Sequence, residues 1–227
     1  MRKILLIIAF LSLTSSLAYA TEEAKIGVTE VTPKNFSYLY NSIDGLSEKQ
    51  LSQHNTLYLR YVNKFNEINS KLKTVDIQKA NAAHSDYRSL KIDRSFANNG
   101  IILHELYFEN LSSQPTKPSK CLEGLIISNF GSHDNYIADL KASMRATRNG
   151  WVISGYNPLN KKIENYIIES HDLYLPINIK PILVIDVWEH AYMSDYGIDK
   201  ESYIKVFTNN INWNVVSSRL NESIKIK

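Results

Sequence analysis

The sequence predicts an α+β chain: an N-terminal layer of two helices forming a hairpin, then a C-terminal domain with a three-stranded antiparallel sheet flanked by helices. Two apolar stripes at helical spacing, one before residue 75 and one after 95, predict the helical layer. Three short β-rich runs between 150 and 187 predict the sheet. The proline-bearing stretch Ser112–Lys120 separates the two characters, so the domains are expected at 21–115 and 116–227.

The first twenty residues read as an export signal outside the fold. Arg2 and Lys3 form a positive start, Ile4–Leu13 an apolar run, and Ala18-Tyr19-Ala20 a small-residue cleavage step. The apolar run is shorter than the roughly 20 residues a membrane span takes. The mature chain is therefore expected to begin at Thr21 and to reside outside the cytoplasm, in a bacterial periplasm. Removing Arg2 and Lys3 takes the balance from 26 Lys+Arg against 23 Asp+Glu to 24 against 23. So even a surface gives no reason to expect nucleic acid, or a membrane after signal cleavage, as partner. The single thiol, Cys121, excludes an internal disulfide and is expected to be a small buried or neutral group rather than a redox nucleophile.

After an irregular lead-in with breakers at Pro33 and Gly45, Ser47 with Gln50 three residues later signals a helix start. Leu51, His54, Tyr58, Tyr61, Phe65, Ile68 and Leu72 then trace one face. A second helix is expected over 96–111, where Ile101, His104, Phe108 and Leu111 share a face. Helical pieces follow over 121–148 around Gly131-Ser132. Strands are expected at 150–154, 164–169 and 181–187, arranged as a meander, with closing helices near 199–209 and 212–220.

The chemistry concentrates where the last strand ends. Pro181–Ile185 runs directly into Asp186, and His190 follows four residues later. A carboxylate at the end of a buried strand needs a partner, because an isolated buried charge is expensive. Alone, such a pair is more often a capping aspartate with a space-filling histidine than a metal site. His54 and His104 lie on two other apolar faces, however, and one buried ion would satisfy all four side chains. Imidazole with carboxylate suits iron, manganese or zinc better than calcium.

The run Asp186-Val187-Trp188-Glu189-His190-Ala191-Tyr192 resembles the D-x-W-E-H-A-Y signature of the iron/manganese superoxide dismutases. His104-Glu105-Leu106-Tyr107-Phe108, Phe130-Gly131-Ser132, Gly150-Trp151 and Ile211-Asn212-Trp213 are similar to other landmarks of that family, so the resemblance covers about 45–220. It implies one iron or manganese ion per subunit, held by His54, His104, Asp186, His190 and a solvent molecule. It also implies that superoxide is converted to dioxygen and hydrogen peroxide. A homodimer is implied in which Glu189 meets the partner subunit's His190.

Three further positions take roles from the resemblance. Many members place a glutamine beside the bound solvent, either four residues before the second histidine or just after the second strand. The first place is Gly100 here and the second is His171, so His171 is read as replacing that glutamine, against the alternative of an exposed loop histidine. Its ordinary pKa of about 6.5 would put a titration near neutrality. Tyr61 resembles the tyrosine at the substrate funnel, one residue closer to the first ligand than usual, which implies a deletion in the helix. Lys200 stands where members usually carry an arginine that attracts the anion, and it keeps the charge without the planar fork. Two other readings compete: a non-haem iron oxygenase using two histidines and a carboxylate, and a non-catalytic metal-binding protein on the same scaffold.

Overall fold

The computed structural model describes residues 27–114 and 116–225. The export segment, the expected new N-terminus at Thr21 and the expected boundary residue Pro115 lie outside the described residues. Among those described, no helix is long and apolar enough to cross a membrane.

The lead-in is irregular but packed. Phe36 stacks on Phe108 with ring centroids 4.8 Å apart, and Leu39, Ile43 and Leu46 are buried. Helix α1 (Glu48–Leu72) then begins at Ser47, whose hydroxyl accepts the Gln50 amide. The reciprocal half of that cap does not come from Gln50. Asp195 supplies it, accepting the Ser47 amide at 2.7 Å.

Helix α2 (Asp86–Glu109) packs antiparallel to α1 and closes the hairpin. It starts ten residues before the expected 96, capped by Ser85. Its first turns, Asp86–Ser95, contain no buried residue, so no apolar stripe announces them.

In the second half, α3 (Lys120–Phe130) and α4 (His133–Ala146) are separated by Gly131, whose φ of +83° few other residues adopt. Strands β1 (Gly150–Asn157), β2 (Lys162–Glu169) and β3 (Lys180–Asp186) form one antiparallel sheet. Its order is β2-β1-β3, which corrects the expected meander. The reason is burial: β1 is covered almost throughout and takes the middle, whereas β2 is only half-covered and takes an edge. Short helix α5 (Met193–Tyr196), α6 (Lys200–Asn209) and α7 (Trp213–Lys225) complete the chain.

Helix α2 and helix α7 both pack on β3, and one apolar core runs through both halves. Cys121 is exposed on the first turn of α3, so of the expected buried or neutral thiol the buried alternative is corrected. A helix that buries only Leu122 and Ile126 turns its neighbour outward.

Candidate metal centre

Four elements deliver one side chain each to one point. His54 comes from the middle of α1, His104 from α2, Asp186 from the last residue of β3 and His190 from the 3-10 turn Glu189–Ala191. One nitrogen or oxygen from each lies within 4.8 Å of the others. The focus is Asp186 Oδ2, with Nε2 of His54 at 3.0 Å, of His190 at 3.1 Å and of His104 at 3.8 Å.

Asp186 and His104 are held by further bonds. Asp186 Oδ1 accepts the Trp188 amide at 2.9 Å, and the Asp186 carbonyl accepts the Tyr203 hydroxyl at 2.5 Å. His104 Nδ1 lies 2.6 Å from the Gly100 carbonyl. A carbonyl only accepts, so Nδ1 carries the proton and Nε2 is left with its lone pair. That Nε2 is buried and has no hydrogen-bond partner.

The electrostatics agree with a cation there. Burial alone would raise the Asp186 pKa, but the charge and hydrogen bonds of His190 and His54 outweigh it and hold the carboxyl well below the usual range. Burial pushes His54 down and His104 down further, keeping both neutral at neutral pH. His190 is less enclosed, so Asp186 overcomes the burial effect and raises it. Two neutral imidazoles, a third that an ion could deprotonate and an ionised carboxylate suit a hard-to-borderline transition metal. The orphaned His104 lone pair is the kind of group such an ion satisfies.

Beside this cluster, His171 is 1 % exposed, so it is no surface loop residue. Its Nδ1 accepts the Trp151 indole N–H at 2.9 Å, and its Nε2 lies 2.7 Å from the Tyr61 hydroxyl. Tyr61 and His104 have ring centroids 5.3 Å apart. Helix α1 is continuous, and seven residues are about two turns, so Tyr61 lies on the His54 face. Gly100 makes room, because a Cβ there would meet the Tyr61 ring at 2.8 Å.

Lys200 is bonded elsewhere. It opens α6 and donates its ammonium to the Thr147 carbonyl at 2.7 Å, at the C-terminal end of α4. Two residues have a part at the site that their sequence reading did not give them: Trp151, read only within a family landmark, orients His171, and Gln50, read only in a helix start, bonds the His190 carbonyl at 2.6 Å. The signal for Gln50 was a polar side chain one turn before His54 on a buried face.

Comparison with known proteins converges on the same reading. Residues 118–219 match the model of iron/manganese superoxide dismutases, C-terminal domain. The iron superoxide dismutase of Aquifex aeolicus is 36% identical over 205 residues, covering 88% of this chain and 95% of that protein. The chain belongs to the iron/manganese superoxide dismutase family. Other superoxide dismutases are similar at lower identity. The iron protein of Pyrobaculum aerophilum is 30% identical across 86% of this chain and 96% of its own length. Manganese superoxide dismutase 1 of Halobacterium salinarum is 29% identical across 82% and 92%. Family membership thus covers relatives named for either metal.

Proposed function

We propose that this chain disproportionates superoxide, taking two superoxide ions and two protons to dioxygen and hydrogen peroxide, at one iron or manganese ion held by His54, His104, Asp186 and His190. The observation that carries the reading is the convergence of three imidazole nitrogens on one carboxylate oxygen, with no second carboxylate in the cluster among the described residues. The ion would supply the reversible one-electron change. The residues do the rest: they bind it, keep net charge low and deliver protons.

Asp186 balances one positive charge, and its Trp188 and Tyr203 bonds keep the carboxylate from turning away. With Trp151 on Nδ1, His171 carries its proton on Nε2 and donates to Tyr61. The Tyr61 hydroxyl proton is then free to serve as a donor in the peroxide-forming half of the cycle. Lys200 enters as a positive charge for anion attraction only, since Thr147 holds its ammonium.

We also propose a homodimer. His190 alone of the four has a side chain that is part-exposed, at 31 %, and Glu189 beside it is exposed. A second copy bringing its own Glu189 would cover that imidazole, and a monomer in sedimentation would contradict it. Export to the periplasm stays a proposal resting on residues 1–20. Native protein that begins at Thr21 supports it, whereas native soluble protein that keeps Met1 excludes it.

The function is tested by following superoxide decay with the purified chain loaded with iron or with manganese. Rapid second-order loss that stops when the metal is chelated is expected for at least one metal. Tight metal binding with no loss of superoxide would favour the non-catalytic reading.

A further inference from the structure

Gln50 lies one helical turn before His54 on the same covered face of α1, and it is 1 % exposed. Its carboxamide reaches across to the segment after β3. Nε2 donates to the His190 carbonyl at 2.6 Å, and Oε1 accepts the Ser194 amide at 3.1 Å. A carbonyl cannot donate and an amide N–H cannot accept, so the two bonds fix which way the group faces. One turn earlier, Ser47 donates its amide and hydroxyl to the Asp195 carboxylate at 2.7 and 2.6 Å. The start of α1 is therefore tied to residues 190–195 by four hydrogen bonds from two side-chain groups.

This tie matters because of how His190 is carried. His54 and His104 ride on helices of 25 and 24 residues, whose ladders set their backbone positions. His190 sits in a three-residue 3-10 turn, Glu189–Ala191, followed by the four-residue helix α5. So short a stretch has little internal hydrogen bonding to resist displacement. Its place relative to His54 must come from outside, and Gln50 is the side chain that bonds the His190 peptide itself.

We propose that Gln50 is a positioning residue for metal retention, holding the His190 backbone at the distance from His54 at which both can share one ion. The inference rests on His190 being a ligand. Without Gln50, the His190 carbonyl and Ser194 amide lose their partner and the turn can drift. Bonds that orient metal ligands typically change affinity by about 10- to 100-fold when lost. The effect should appear as faster loss of the ion. Gln50→Glu keeps an acceptor for Ser194 but sets a carboxylate oxygen against the His190 carbonyl, so it should not rescue.

The test is the rate at which metal-loaded protein loses its ion to excess chelator, with the visible spectrum of the oxidised ion recorded alongside. Wild type, Gln50→Leu, Gln50→Glu and His190→Ala are compared. Both Gln50 variants are expected to release metal at least about tenfold faster and to shift the spectrum, which a purely structural change would not do. Should Gln50→Leu fail to fold, Asp195→Asn weakens the same tie at the surface and should speed release less, but measurably. If the Gln50 or Asp195 variants release metal at the wild-type rate while His190→Ala binds poorly, the positioning role is wrong and the ligand set stands. If His190→Ala keeps its ion as wild type does, the ligand assignment fails and the inference with it.

Discussion

Trp151 donates its indole N–H to Nδ1 of His171 at 2.9 Å, and that bond alone decides which nitrogen of His171 carries the proton. Nε2 must be the donor, and it faces the Tyr61 hydroxyl at 2.7 Å. A glutamine in this place could offer two protons, whereas the histidine offers one. His171→Ala should therefore keep the ion, since no ligand is touched, while turnover falls by about 10- to 100-fold. Trp151→Phe should cost less, because His171 stays but can adopt either tautomer. Unchanged superoxide turnover in purified, fully loaded His171→Ala would remove His171 from the mechanism.

Burial holds the His171 imidazole down at about 4, against a weaker opposing pull from Asp186. A titration near neutrality, expected from the ordinary value, is thereby moved into acid. In the unfolded chain the group titrates near 6.5, so between about 4 and 6.5 the unfolded state binds more protons. Stability from this residue is present above 6.5, falls with pH through that window and is fully lost below 4. By pH 4.5 the loss should reach about 2 to 3 kcal/mol. Denaturant unfolding of metal-free wild type and His171→Gln at pH 7 and 4.5 checks it. The wild type should lose that much more than the variant on acidification, and an equal loss in both would show that His171 is not buried neutral.

A side chain at Gly100 has a predictable cost. An added Cβ would lie 2.8 Å from Cδ1 and 3.0 Å from Cγ of Tyr61, too close for the ring to stay. Alanine gains about 1 kcal/mol in helix propensity over glycine, while overpacking costs about 1–3 kcal/mol. The clash should win or draw on stability. It should also move Tyr61 off His171, so Gly100→Ala should lower turnover with metal content unchanged. Wild-type turnover in that variant would mean that the Tyr61–His171 bond carries no catalytic weight.

Much of the site was legible because burial and polarity conflict at its residues. His54 and His104 stand in apolar stripes, and Asp186 ends an apolar strand, so each raises a question that one ion answers. The D-x-W-E-H-A-Y run then pointed to the family. Residues that act through bonds rather than through pattern were not legible. Trp151 stood out only as part of a Gly-Trp landmark, with no bond to His171 implied, and Gln50 looks like a helix-cap residue until its partner 140 positions away is known. The start of α2 was missed because Asp86–Ser95 buries nothing, and the order β2-β1-β3 because strand spacing does not say which strand lies centrally.

Asp186 gives the most direct test of the whole account, because its Oδ2 lies within 3.8 Å of all three imidazole Nε2 atoms. Replacing it with alanine removes the one carboxylate that the described residues bring to the centre and leaves three imidazoles without it. The measurement is iron plus manganese per folded chain, by elemental analysis, in wild type and Asp186→Ala expressed and purified side by side. The account predicts one ion per chain in the wild type and close to none in the variant, with circular dichroism still reporting a folded protein. A folded Asp186→Ala that carries as much metal as the wild type would contradict it.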